Sequence, residues 1–219
     1  MAHVKICGLK DTSMVRTCAE AGADWVGFVL YPKSPRNILG TGAEALEDLE
    51  DLSRFAQELG VLSVVLMVNP DEDLFEQVLH DIEPNAIQLH GKENPKQIER
   101  MWRDCDGICE LWKAVGVSSE ADLEDLDQWR VDRLLLDAKP PQGADLPGGN
   151  GAAIDWSILS GFEAPAPWLL AGGLTPDNVE AAITATGARA VDVSSGVERA
   201  RGVKDEALVR AFIDAAKTA

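Results

Sequence analysis

Two side chains in this sequence stand where a proton could be moved. Cys7 closes the run Val4-Lys5-Ile6-Cys7 just before Gly8, and Asp137 closes Leu134-Leu135-Leu136. A lone cysteine is ordinarily a small core hydrophobe. At a strand end, on the polar side of its strand, it is placed instead for reactivity. Asp137 has no partner close in sequence, so it either caps the turn that follows or takes part in chemistry. Lys5 shares a strand side with Cys7, and either serves that thiol or pairs structurally with a carboxylate such as Asp192. His90, before Gly91, reads as a polar residue where the chain leaves a strand rather than as a catalyst.

Three turns add a second kind of chemistry: Gly148-Gly149-Asn150-Gly151, Gly172-Gly173 and Ser194-Ser195-Gly196. One glycine pair says little, since turns need glycine anyway. Several such turns late in the chain suit a phosphate, which exposed backbone amides bind without a positively charged protein.

Such groups must be carried by rigid elements. Short apolar runs recur at 4–7, 25–30, 62–68, 86–89, 108–114, 134–137, 168–171 and 190–193. Helical segments are expected between them at 13–21, 43–59, 71–82, 95–105, 120–129, 177–186 and 204–217, with a short one near 154–159. Eight strands alternating with helices make an α/β chain of the (β/α)8 TIM-barrel type, eight parallel strands in a single domain over residues 1–219. An open doubly wound sheet would place its glycine-rich turn after the first strand; here glycines gather after the sixth to eighth. Alternation along each strand sends Val4 and Ile6 to the helices. It sends Lys5, Cys7, Gln88, His90, Asp137, Asp192 and Ser194 into the barrel. Polar residues converging at strand C-termini read as an active site.

Composition narrows the partners. A net charge of -17 over 219 residues argues against nucleic acid and anionic membranes, which need basic surface. The acidic stretches at 44–51 and 120–127 are expected to be solvated outer faces. No apolar run reaches the ~18–20 residues of a membrane span, and no signal peptide opens the chain, so a cytoplasmic protein is expected. Its four cysteines are then expected to be reduced. Cys105 and Cys109 lack the further ligands a metal would require.

The ordered set of motifs resembles the phosphoribosylanthranilate isomerase family. Val4-Lys5-Ile6-Cys7-Gly8, Gly22-Ala23-Asp24-Trp25-Val26-Gly27-Phe28 and Pro32-Lys33-Ser34-Pro35-Arg36 carry it at the start. Gln88-Leu89-His90-Gly91, Leu136-Asp137-Ala138-Lys139, Leu170-Ala171-Gly172-Gly173-Leu174 and the run from Val191 to Glu198 continue it to the end. The resemblance implies an Amadori rearrangement of a phosphorylated ribosylamine in tryptophan biosynthesis, without metal or organic cofactor. Asp137 falls on the family's general acid and Cys7 on its base. Arg36 falls on the residue that grips the anthranilate carboxylate. Gly172, Gly173, Ser194, Ser195 and Gly196 would cradle the phosphate with Gly149 and Gly151, and Asp192 would join the substrate site. Those roles imply a raised Asp137 and a lowered Cys7, the latter with help from Lys5. The family's Gly-Gly-Thr-Gly is here Gly148-Gly149-Asn150-Gly151, which puts the contact made at Asn150 in question. The expected partner is a phosphorylated small molecule. A different sugar-phosphate isomerase or epimerase on the same barrel, and a non-catalytic barrel that binds a phosphometabolite, are the competing readings.

Overall fold

The computed structural model describes residues 1–38, 44–139, 148 and 153–219. Eight parallel strands close on one another: β1 (His3–Cys7), β2 (Trp25–Leu30), β3 (Leu62–Met67), β4 (Ala86–Leu89), β5 (Glu110–Val117), β6 (Arg133–Ala138), β7 (Trp168–Leu170) and β8 (Ala190–Val193). The first and last strands pair, with Lys5 opposite Asp192 in the register. Helices α1 (Thr12–Ala21), α2 (Glu44–Glu58), α3 (Glu72–Gln77), α4 (Pro95–Asp104), α5 (Val179–Thr186) and α6 (Glu206–Thr218) lie on the outside. Their starts follow capping chemistry. Asp11 accepts from Met14 N, Asp71 from Leu74 N and Asp205 from Leu208 N, and Asn94 forms a reciprocal box with Gln97.

Three segments depart from the sequence-based expectation. Residues 71–82 do not stay α-helical; α3 widens into a π turn (Val78–Ile82) whose Val78, Leu79 and Ile82 are all buried. The helix expected over 120–129 is two 3₁₀ turns (Glu120–Leu123 and Leu126–Gln128). The first turn buries nothing and the second buries only Leu126, so no apolar stripe holds a longer helix against the barrel. Lys204 does not begin the last helix. It belongs to a hairpin, β9 (Glu198–Ala200) with β10 (Val203–Lys204), and α6 starts only after its Asp205 cap.

The barrel interior is layered, and this layering positions the site. Val4, Ile6, Phe28 and the other outward-facing strand residues pack against the helices. Inside, Trp25, Val64, Ala86, Trp112, Leu135, Leu169 and Ala190 form a lower apolar plug. Trp25 and Trp112 meet edge to face with centroids 5.5 Å apart. Trp112 Nε1 donates to Glu110 at 2.7 Å, which satisfies its one polar atom. Above the plug, Cys7 packs with Val29 and Leu66, and polar side chains take over toward the strand C-termini. Among the described residues no helix is long and apolar enough to cross a membrane.

Trp112 is fully buried at the centre of this plug. Replacing it by alanine should cost about 3–5 kcal/mol, the usual range for an aromatic deletion in a tight core. Urea unfolding measures it; a loss under ~1 kcal/mol would show that the lower layer is not close-packed.

Candidate active site

A cavity of about 800 Å³, its open mouth included, lies at the C-terminal end of the strands. It is lined by Cys7, Arg36, Asp137, Gly172, Gly173, Asp192, Ser194, Ser195 and Gly196 together. These come from five separate stretches of sequence, and the barrel brings them to one place. Gly149 and Gly151, with Asn150, lie outside the described residues.

Cys7 sits at the cavity floor, 3% exposed, above the fully buried Lys5. Lys5 Nζ donates to Asp192 Oδ1 at 2.7 Å, the pairing that strand parity anticipated. Gly27 on β2 creates the space for both groups. A Cβ there would fall 2.9 Å from Cys7 Sγ and 3.1 Å from Lys5 Nζ. The amides of Gly8 and Leu9 both donate to the Gly27 carbonyl, at 2.8 and 3.0 Å, and fix the strand end that carries the thiol. The electrostatics correct one expectation. Burial pushes the Cys7 thiol up; Lys5 and Lys204 oppose this, Asp192 reinforces it, and the thiol ends above its ordinary value. Lys5, despite the burial that works against its charge, is held above its usual range by Asp192 and Cys7. The ammonium is thus present, but it does not outweigh the loss of water around sulfur.

Across the mouth, Asp137 is 7% exposed. Its Oδ1 accepts from the Ala138 amide at 2.8 Å, and its Oδ2 lies 3.4 Å from His90 Nε2. Gly172, at φ 87°, lets the chain after β7 pass close by: a Cβ would lie 2.6 Å from Ala138 N and 3.1 Å from Asp137 Oδ1. Gly148 closes over the same pair, since a Cβ on it would meet Asp137 Oδ2 and the His90 ring, each at 2.7 Å. His90, read from sequence as a polar residue at a strand exit, lines the cavity beside the acid. Its Nδ1 lies 3.4 Å from Gln88 Nε2, while Gln88 Oε1 is buried without a partner among the described residues.

Arg36 reaches the cavity from the loop after β2. Its Nε and Nη2 donate to the two carboxylate oxygens of Glu198 at 2.7 and 3.0 Å, a bidentate fork. Glu198 also receives Lys204 Nζ at 3.0 Å and the Gly202 amide at 3.0 Å. Lys204 donates further to the Ser194 carbonyl at 2.8 Å, and Ser194 Oγ donates to the Cys7 carbonyl at 3.0 Å. Sequence reasoning missed Glu198 and Lys204. Glu198 stood at the end of a recognised motif, but nothing local paired it with a loop 162 residues away. Among the described residues no three His, Cys, Asp or Glu side chains gather as ligands for a metal.

The class that this fold and cavity define is a (β/α)8-barrel enzyme with its site at the C-terminal mouth. A family model described as N-(5'phosphoribosyl)anthranilate (PRA) isomerase matches residues 4–215. A relative from Hyphomonas neptunium named N-(5'-phosphoribosyl)anthranilate isomerase is 52% identical over 218 residues, 99% of this chain and 98% of that one. The crystal structure of the Thermotoga maritima phosphoribosyl anthranilate isomerase matches at 36% identity and TM-score 0.82, with both chains fully covered. A second solved isomerase, 34% identical with TM-score 0.77 and full coverage of both chains, is in complex with reduced 1-(o-carboxyphenylamino)-1-deoxyribulose 5-phosphate. The chain belongs to the N-(5'-phosphoribosyl)anthranilate isomerase family.

The Glu198 cluster carries a consequence for stability. Burial alone would raise this carboxyl; Arg36, Lys204 and the Gly202 amide overcome it and hold the group at about 2. A carboxyl held below its ordinary value in the folded chain stabilises folding. That contribution is complete above pH ~4.5 and is lost as pH falls through ~2. Acid unfolding followed by circular dichroism should show a shallower stability loss between pH 5 and 2 in Glu198→Gln than in the parent. Parallel curves would contradict the assigned partners.

Proposed function

We propose that the chain converts N-(5-phosphoribosyl)anthranilate into 1-(2-carboxyphenylamino)-1-deoxyribulose 5-phosphate, a step of tryptophan biosynthesis, with Asp137 as general acid and Cys7 as general base. The observation that carries this reading is the meeting of Cys7, Asp137, Arg36 and two glycine- and serine-bearing turns around one cavity. We also take residues 1–219 as one catalytic domain acting in the cytoplasm.

In this reading the phosphate lies against the amides of Gly172–Gly173 and Ser194–Gly196, with Gly149 and Gly151 contributing from the loop after β6. Arg36 takes the anthranilate carboxylate. Asp192, one oxygen of which holds Lys5, offers the other to a sugar hydroxyl. Asp137 gives its proton to the ring oxygen as the C1–O bond breaks, and the nitrogen lone pair forms the imine. The Cys7 thiolate then removes the proton from C2, and the electron pair of that bond moves to give the enolamine. Tautomerisation to the ketone completes the step. Carbon oxidation levels are exchanged within the substrate, so acid and base suffice and no external oxidant or reductant enters.

Cys7→Ala and Asp137→Asn should each lower kcat at least ~100-fold, the usual contribution of a positioned acid or base. Loss of the fluorescence of the anthranilate substrate is the assay, with circular dichroism to confirm the fold. Full activity in either variant would remove that residue from the mechanism. The pH dependence follows from the raised thiol. Thiolate absorbance of the parent minus that of Cys7→Ala reads this titration directly, and it should still be rising with pH at and above the ordinary thiol value of ~8.5. A thiolate limb complete by pH 7 would sink the assignment of Cys7 as a buried base.

A further inference from the structure

The hairpin after β8 has no part in the steps above, yet it supplies the most tightly organised polar group in the mouth. Glu198 holds one edge of the Arg36 guanidinium through Nε and Nη2 at 2.7 and 3.0 Å. A guanidinium is planar and carries five donors on two forked edges, so fixing one edge fixes the direction of the other. The side chains involved are nearly closed to solvent, 6% for Arg36 and 4% for Glu198. Lys204 sits on the same carboxylate at 3.0 Å, with both side chains 4% exposed.

The hairpin is also locked to the loop that carries Arg36. Gly202 packs so closely that a Cβ on it would lie 2.6 Å from the Pro35 carbonyl oxygen. Lys10 Nζ donates to that same oxygen at 2.5 Å, and the Arg36 amide donates to Ser34 Oγ at 3.1 Å. Backbone and side chain of Arg36 are therefore both fixed by neighbours before any ligand arrives.

We propose that Glu198 is a specificity-determining positioning residue: through its fork on Arg36 it aims the guanidinium, so that the site selects substrates bearing a carboxylate on the ring. This rests on Arg36 as the carboxylate-binding group in the reading above. Glu198 touches no substrate atom and moves no proton. Its effect falls on discrimination between ligands that differ only in that carboxylate.

The test uses two ligands: reduced 1-(o-carboxyphenylamino)-1-deoxyribulose 5-phosphate and its phenyl counterpart lacking the carboxylate. Calorimetry gives a Kd for each with the parent protein, Arg36→Lys, Glu198→Gln and Glu198→Asp. The parent should prefer the carboxylate ligand, and Arg36→Lys should abolish that preference. Both Glu198 variants should shrink the preference at least ~10-fold while the phenyl ligand binds within ~3-fold of parent, because a simple loss of structure would weaken both ligands alike. Glu198→Asp keeps the charge but shortens the reach, so a drop there assigns the effect to aim rather than charge; it decides alone if Glu198→Gln does not fold. An unaltered preference in the Glu198 variants, with Arg36→Lys collapsed, overturns the proposal. An unaltered preference in Arg36→Lys overturns instead the role given to Arg36.

Discussion

The ion pair between Lys5 and Asp192 is the constraint around which the mouth is built. It joins the first strand to the last at the seam that closes the barrel, at 2.7 Å and out of solvent. Removing one partner would strand a buried charge, a loss usually of 3–5 kcal/mol in about the same range as deleting a core aromatic. The pair also decides what lies under Cys7. An ammonium there favours the thiolate, while the carboxylate beside it and the dry surroundings disfavour it. Gly27 is required because thiol and ammonium both occupy the space that its side chain would fill.

A chain of net charge -17 that binds an anion must concentrate its positive charge. Around the upper barrel the cations sit on carboxylate anchors that fix their positions. Arg36 and Lys204 share Glu198. Lys113 pairs with Glu93 at 2.6 Å beneath the loop after β4 and also holds the Gly91 carbonyl at 2.8 Å. The Glu93 carboxylate in turn receives the Asn69 and Gly91 amides. These pairs order loops as well as neutralise charge, so the mouth is shaped by groups that need not touch a ligand.

The strands were legible because burial on both faces writes near-continuous apolar runs, and parity then told inside from outside. Lys5, Cys7, Asp137 and Asp192 could be placed in the interior on that argument alone. The hairpin was not legible. Glu198–Ala200 and Val203–Lys204 are too short to show a period, and Lys204 abuts a good helix, so its segment read as helical. The direction of the Cys7 shift was misjudged for a different reason. Sequence shows which charges are near a thiol but not how completely water is excluded from it, and here exclusion prevails. The contact of His90 with Asp137 at 3.4 Å was not legible either, because the two lie far apart in sequence and meet across the barrel mouth.

The pairing of charges separates three buried carboxylates of the mouth from a fourth. Four carboxylates are buried around the upper barrel: Glu93, Asp137, Asp192 and Glu198. Three of them are tied to a lysine or arginine. A carboxylate locked in this way serves as an anchor, because taking up a proton would first require breaking a buried ion pair. Asp137 is the exception among the described residues. Its companions are the Ala138 amide and the edge of His90. The general-acid role proposed for Asp137 would use that arrangement, since such a group carries a proton before the reaction and bears a charge after it. One oxygen steadied by an amide fixes the direction of the group, and a neighbouring imidazole can accept a hydrogen bond from the acid or donate one to the carboxylate. The same barrel end therefore contains three carboxylates tied to a cation and, among the described residues, one that is not.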